Sequence, residues 1–252
     1  MKQPTIDQRL AMRQRPHGSA LMYQSWNDLL FLHWRAEPDA IQAKLPKGLF
    51  VDCFEDQAYL GLVPFYMRNI HFRWTPSLPW ISYFLEINLR TYVVDEAGTP
   101  GVWFFSLDCN QPLAVWAART LFQLPYQHAK MSAPKNKDGE IDYRSFRAHS
   151  KTQKGLTQTQ LQYRIHPESS YAEPGTLDFF LAERYLLFAV NRKGKLRTGQ
   201  VHHTPYPLSQ VSVEQYETDL FALNGFAFPM RRFDHAVGSR GVDVEIFPLS
   251  LK

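Results

Sequence analysis

The stretch from Glu86 to Asp108, EINLRTYVVDEAGTPGVWFFSLD, limits the possible folds more than any other. Ile87, Leu89, Thr91 and Val93 alternate with Glu86, Asn88, Arg90 and Tyr92. Side chains on a strand repeat every second residue, so a carboxylate, an amide and a guanidinium stand in a row on one face. Asp95, Gly98 and Pro100 supply turn chemistry, in a connection longer than a two-residue hairpin. The return strand sets Trp103, Phe105 and Leu107 on one face, and Val102, Phe104, Ser106 and Asp108 on the other. If the polar faces coincide, Glu86, Arg90, Ser106 and Asp108 line one cavity, and a register slip of one residue parts them. The alternative is an outer face whose charges meet water.

Past this hairpin, Asn110 and Pro112 read as an N-cap and an early helical position before the short helix LAVWAARTLF, which Pro125 ends. That run continues into QLPYQHAKM. With EINLRTYV, GVWFFSLD, LPKGLFVDCFEDQAYLGLVPFYM at 45–67, FFLAERYLLFA at 179–189, VHHTPYPL at 201–208 and GVDVEIFPL at 241–249, it resembles the YqjF-like family of uncharacterised bacterial proteins. Shorter pieces resemble the wider acetoacetate decarboxylase-like superfamily. The resemblance implies a mainly β chain with a few short helices, folded as a single acetoacetate decarboxylase-like β-barrel enclosing a small-molecule cavity. Members of that superfamily differ in chemistry. The decarboxylase itself uses a Schiff-base lysine whose pKa is depressed by a neighbouring cation. Its two consecutive lysines fall here on Tyr126 and Gln127 of LPYQH, and neither side chain can form an imine. Lys130 is close by but has no adjacent cation. The resemblance therefore carries fold and cavity and departs from the mechanism at its central residue.

A length of 252 residues is enough for a substantial core in one large β-rich domain or two small ones. We find no linker, low-complexity tract or fixed-period repeat, so the expectation is an arm over residues 1–18 and a single domain over 19–252. Aromatic residues make up 14%, which suits a β-rich interior or an apolar pocket. A net charge of +4 favours anionic partners slightly and falls short of a nucleic-acid signature. Cys53 and Cys109 form no CxxC pair and are too few for a disulfide framework, which points to a reducing compartment, the cytoplasm. The N-terminus has no continuous apolar segment and LLFLHW is too short to span a bilayer, so no membrane partner is expected.

In chain order, Ala20–Arg35 reads as a strand buried on both faces and Pro38–Lys44 as one or two helical turns closed by Gly48. Leu49–Phe54 and Ala58–Met67 read as strands paired across Glu55-Asp56-Gln57. Arg73–Pro79 is an aromatic, proline-containing loop, either a cap over a cavity or a surface packed on a rim. Ile141–Ser150 and Gln158–His166 look like neighbouring strands on a solvated edge, and LDFFLAE like a short helix. Tyr185–Asn191 and Leu196–His203 form the clearest hairpin, with SQVSVEQYE and GVDVEIFPL as later strands.

The residues that carry chemistry follow from this layout. Glu86 is the expected general acid or base and Arg90 the anion clamp, with Asn88, Ser106 and Asp108 beside them. Tyr126 stands where the superfamily's lysine would be, as a hydroxyl donor or a space-filling ring, and His128 lies near the pocket mouth. None of the nine histidines has metal-ligand spacing. His202 and His203 diverge on a strand, so one alone, taken as His203, reaches the interior. No cofactor or metal is expected, and GxSxG, GxGxxG and phosphate-loop motifs are absent. The expected partner is a small anionic molecule, not nucleic acid, with a homo-oligomer left open. The function expected is acid–base chemistry on a small carboxylate or carbonyl compound. The alternatives are a non-catalytic ligand-binding module and a weaker interaction surface along the basic edge Arg144–Lys154.

Overall fold

The computed structural model describes residues 3–147, 158–227 and 232–251. The chain is mainly β, as expected. It opens with α1 (Ile6–Ala11), β1 (Met22–Ala36), α2 (Pro38–Gln42), β2 (Leu49–Val51) and β3 (Ala58–Phe72). The central hairpin is β4 (Phe84–Asp95) and β5 (Pro100–Cys109), followed by α3 (Pro112–Ala117) and a π-helical turn over Ala118–Phe122. Next come β6 (Tyr126–Ser132), β7 (Glu140–Arg147), β8 (Gln158–Tyr171), α4 (Leu177–Ala182), β9 (Leu186–Val190) and β10 (Leu196–His203). β11 (Pro207–Thr218), α5 (Leu220–Leu223), β12 (His235–Ile246) and β13 (Ser250–Leu251) complete the chain.

Hydrogen bonding runs β5-β6-β7-β8-β11-β12-β1-β3-β4 and returns from β4 to β5, so the strands form a closed ring of pairings. β9 and β10 bridge β5 to β12 outside that path. Leu29 to Trp34 of β1 are all buried, because both faces of the strand are covered. Leu30, Leu32 and Trp34 pack with Leu60, Ile87 and Leu89 in one apolar layer. Leu29 and Phe31 point the other way, onto Val63, Phe65, Val201 and Tyr206. A continuous apolar run with strand periodicity is the sequence form of such two-sided burial.

The N-terminal segment is tied down. Thr5 and Gln8 form a reciprocal capping box on α1. Arg9 then makes two 2.7 Å bonds to the buried Asp52, and Arg13 and Arg15 pair with Glu183 and Glu245.

Several expectations need correction. β2 pairs with β4, not with β3; Phe54 and Gln57 form the sole bridge across the intervening turn. The cause lies at Asp52, which Arg9 and Arg184 both grip, and at Glu55 and Asp56, whose positive φ values turn the chain sharply. β8 lies between β7 and β11, inside the sheet rather than at a solvated edge. Residues 148–154, part of the expected strand and basic edge, lie outside the described residues. Gln111 caps α3 instead of Asn110, whose Oδ1 accepts the Leu85 N–H at 2.8 Å.

Candidate functional site

β4 places the site. Its pairing with β3 sets Phe65 opposite Glu86, Val63 opposite Asn88 and Gly61 opposite Arg90. Glu86, Asn88 and Arg90 share a face and line one apolar recess of about 380 Å³. Phe31, Phe65, Phe104 and Tyr206 contribute to its walls, and α3 with the π-helical turn contributes Leu113, Trp116 and Leu121 near the outside. The volume falls in the ordinary range for small-molecule pockets, about 300–1,000 Å³.

The register of β4 against β5 decides the remaining polar groups. Near the turn, Tyr92 faces Val102 and Arg90 faces Phe104. A bulge at Phe105 then inserts one extra residue, so Leu89 faces Ser106 and Ile87 faces Asp108. Without that residue Asn88 would face Ser106 and Glu86 would face Asp108. The extra residue turns Ser106 and Asp108 to the side of Ile87 and Leu89, away from the recess. The expectation that they join Glu86 and Arg90 is therefore corrected. Asp108 is held there by Arg147 through two 2.7 Å bonds, and the Ser106 hydroxyl accepts the Asn224 amide at 3.0 Å.

Glu86 is almost fully buried, and its Oε2 accepts a 2.6 Å hydrogen bond from the Tyr126 hydroxyl. Burial pushes its carboxyl up to about 7, partly opposed by the bonds from Tyr126 and Asn88. The Tyr126 hydroxyl is raised well above its ordinary value by burial and by Glu86, so it stays a donor. Cys109, opposite Glu86 on β5, is likewise pushed up by burial and stays a protonated thiol. The pair Glu86–Tyr126 can thus hold or release one proton near neutral pH.

Arg90 is buried with neutral partners. One terminal nitrogen donates to the Tyr92 hydroxyl at 3.3 Å and to the Leu181 carbonyl at 3.2 Å, and the guanidinium lies over the rings of Phe31 and Tyr92. A chain of hydrogen bonds fixes Tyr92 in turn. Its hydroxyl meets His33 Nε2 at 2.6 Å, His33 Nδ1 meets His235 Nδ1 at 2.9 Å, and His235 Nε2 meets Asp178 Oδ1 at 2.6 Å. His33 is depressed well below the usual range by burial, then by His235 and Arg90, so its ring stays neutral. Gly61 lies opposite both His33 and Arg90, and a Cβ there would fall 3.1 Å from the His33 ring. The missing side chain is what lets the histidine and Tyr92 meet against the strand. In the sequence the sign of this chain is His33 itself, a lone polar residue within the apolar run Leu29–Trp34.

Among the described residues, two polar atoms of this row have no partner, the acceptor Asn88 Oδ1 and the donor Arg90 Nε. Both belong to buried residues that line the recess. Buried polar atoms are rarely left unsatisfied, because each carries its full desolvation cost.

The remaining expected residues lie elsewhere. His128 is exposed and does not line the recess, because β6 leaves the site immediately after Tyr126. His203 is buried one layer behind the recess wall, stacked on Tyr185 and tilted against Tyr206, with ring centroids 4.5 Å apart in each pair. Its Nδ1 bonds the Thr204 carbonyl, and burial pulls its pKa down to about 4. Gln127 bonds Arg119, and Lys130 is exposed on β6. Among the described residues no lysine lines the recess. Among the described residues no group of three or more His, Cys, Asp and Glu side chains is placed to hold a metal ion.

A family model described as an uncharacterised conserved protein, DUF2071, matches residues 23–243. The chain belongs to that family. It is 38% identical over 214 residues to the uncharacterised protein YqjF of Bacillus subtilis (strain 168), covering 85% of this chain and 86% of that one. Among solved structures it is similar to an acetoacetate decarboxylase-like enzyme from Sphingomonas wittichii RW1, with a TM-score of 0.62, 14% identity and coverage of 93% and 94%. An acetoacetate decarboxylase from Legionella pneumophila matches with a TM-score of 0.62 at 12% identity, covering 98% of this chain and 94% of that one. At such identity the likeness establishes the acetoacetate decarboxylase-like fold and leaves the chemistry to the residues present.

Proposed function

We propose that the closed ring of strands acts as a barrel-like container for a small molecule, and that the chain is a cytoplasmic enzyme working by acid–base chemistry without an imine. The substrate is a carboxylate or carbonyl compound with an apolar body. Its polar end meets Glu86, Asn88 and Arg90, while the body lies against Phe31, Phe65 and Phe104. The observation that carries this reading is the buried, unpartnered Arg90 Nε, a donor that a carboxylate or carbonyl oxygen would satisfy, beside a carboxyl that titrates at about 7. Arg90 would orient a carboxylate or polarise a carbonyl oxygen. Glu86 would then take or give a proton at the adjacent carbon, with the Tyr126 hydroxyl stabilising its charged form.

Proton exchange into 2-oxo and 3-oxo acids of increasing chain length, followed by NMR in deuterated water, tests this. The expected outcome is protein-dependent exchange that falls on the order of a hundredfold in Glu86→Gln. A second reading, a binding module without turnover, is favoured by the way Glu86 and Tyr126 already satisfy each other at 2.6 Å. Ligand retention without exchange for any of these acids would select it.

A further inference from the structure

The mouth of the recess carries a surface that the acid–base reading does not use. The segment joining β3 to β4 exposes Trp74 by 82% and Trp80 by 77%, and α3 exposes Trp116 by 65%. Leu78, Leu113 and Leu121 are about half exposed beside them. The two segments form one surface, because the Gln111 amide at the start of α3 donates to the Trp80 carbonyl at 2.7 Å. Leu113, Trp116 and Leu121 also line the recess, so the exposed apolar surface is continuous with its interior. A large exposed apolar patch around the mouth of an apolar hollow calls for a partner.

Charge indicates which partner. No aspartate or glutamate occurs between Asp56 and Glu86, nor between Asp108 and Asp138, the two stretches that contain this rim. Arg73 and Arg119 are exposed there, and Arg73 lies over the Trp74 ring at 5.4 Å. Aromatic and aliphatic side chains mixed with arginines and free of carboxylates match an anionic lipid surface, where rings sit at the headgroup level and cations meet phosphates. A second copy of the chain fits less well. A two-fold contact through this patch would set its basic residues against themselves, with no acidic residue in either stretch to answer them. Among the described residues no helix is long and apolar enough to cross a membrane, which has no bearing on docking at its surface.

We propose that this rim docks on the surface of an anionic phospholipid bilayer, so that the recess opens towards the bilayer and takes its ligand, an amphiphile with an apolar body, from it. The inference shares the recess with the reading above but not its proton chemistry.

Sedimentation with phosphatidylcholine vesicles, with and without about a third phosphatidylglycerol, tests it. The protein should bind the anionic vesicles, with weaker binding as salt rises and with tryptophan emission quenched by brominated acyl chains. Trp74→Ser with Trp80→Ser should lower the partition on the order of a hundredfold, and because both side chains are exposed the fold should be retained. Arg73→Glu should reduce the preference for phosphatidylglycerol, while Glu86→Gln should bind vesicles as the wild type does. Loss of proton exchange with intact docking in that variant supports both readings, while lost docking would count against a rim that binds independently of the proton chemistry. Absence of vesicle binding, or binding unaffected by the tryptophan changes, would overturn the docking proposal. So would a dimer that forms through the same tryptophans and excludes vesicles.

Discussion

Replacing Glu86 with glutamine separates the effect of burial from that of charge. The Glu86 carboxyl titrates at about 7 in the folded chain against an ordinary value of 4.5. Between those two values the folded chain keeps a proton that the unfolded chain has released. Each pH unit in that window then costs the fold about 1.4 kcal/mol. The stability linked to Glu86 is present in full below pH 4.5, declines as pH rises through about 7, and is level above it, a total loss of about 3 kcal/mol. Glu86→Gln stays neutral throughout and can still accept the Tyr126 hydroxyl, so it escapes the decline. The variant should match the wild type near pH 4.5 and exceed it by about 3 kcal/mol at pH 8. For a chain of this size that is roughly 6–12 °C in melting temperature. Paired urea unfolding curves across that range measure the difference, and groups that titrate alike in both proteins cancel. A stability difference independent of pH would refute the argument, because it would mean that the carboxyl is not desolvated.

Arg90→Lys should weaken anionic probes about tenfold or more, because an ammonium cannot keep the bonds to Tyr92 and Leu181 while presenting a planar donor edge to the recess; titration calorimetry reads this. Asp108→Asn should cost about 3–5 kcal/mol of stability by stranding Arg147, yet leave probe affinity near that of the wild type, since Asp108 faces away from the recess. Borohydride treatment with acetoacetate or pyruvate should leave the protein's mass unchanged, and a stable adduct on Lys130 would restore imine chemistry.

The alternation of apolar and polar residues in β4 made the row Glu86–Asn88–Arg90 legible, because a two-residue period needs only the strand itself. Family resemblance supplied the fold and brought Tyr126 to the same place. The side taken by Ser106 and Asp108 was not legible. It turns on the bulge at Phe105, which packs edge-on against Phe226 from a distant part of the chain. A local pattern cannot register one inserted residue that a long-range contact selects. The same holds for Gly61, His33 and His235. They support Arg90 only because three strands far apart in sequence bring them to one level across the sheet. His128, exposed on β6, and His203, buried against Tyr185 and Tyr206, both lie off the recess, and neither placement can be read from the segments they sit in. The tryptophans of the rim were visible in composition, but their exposure was not.

A native mass spectrum of the protein purified from its own host, compared with Arg90→Met, tests most directly whether the recess is a ligand site. The account predicts wild-type protein carrying an organic molecule that has an apolar body and a carboxylate or carbonyl end, released on denaturation and lost from the variant. Wild-type protein that is bare, and that retains no added long-chain carboxylate or ketone, would contradict it.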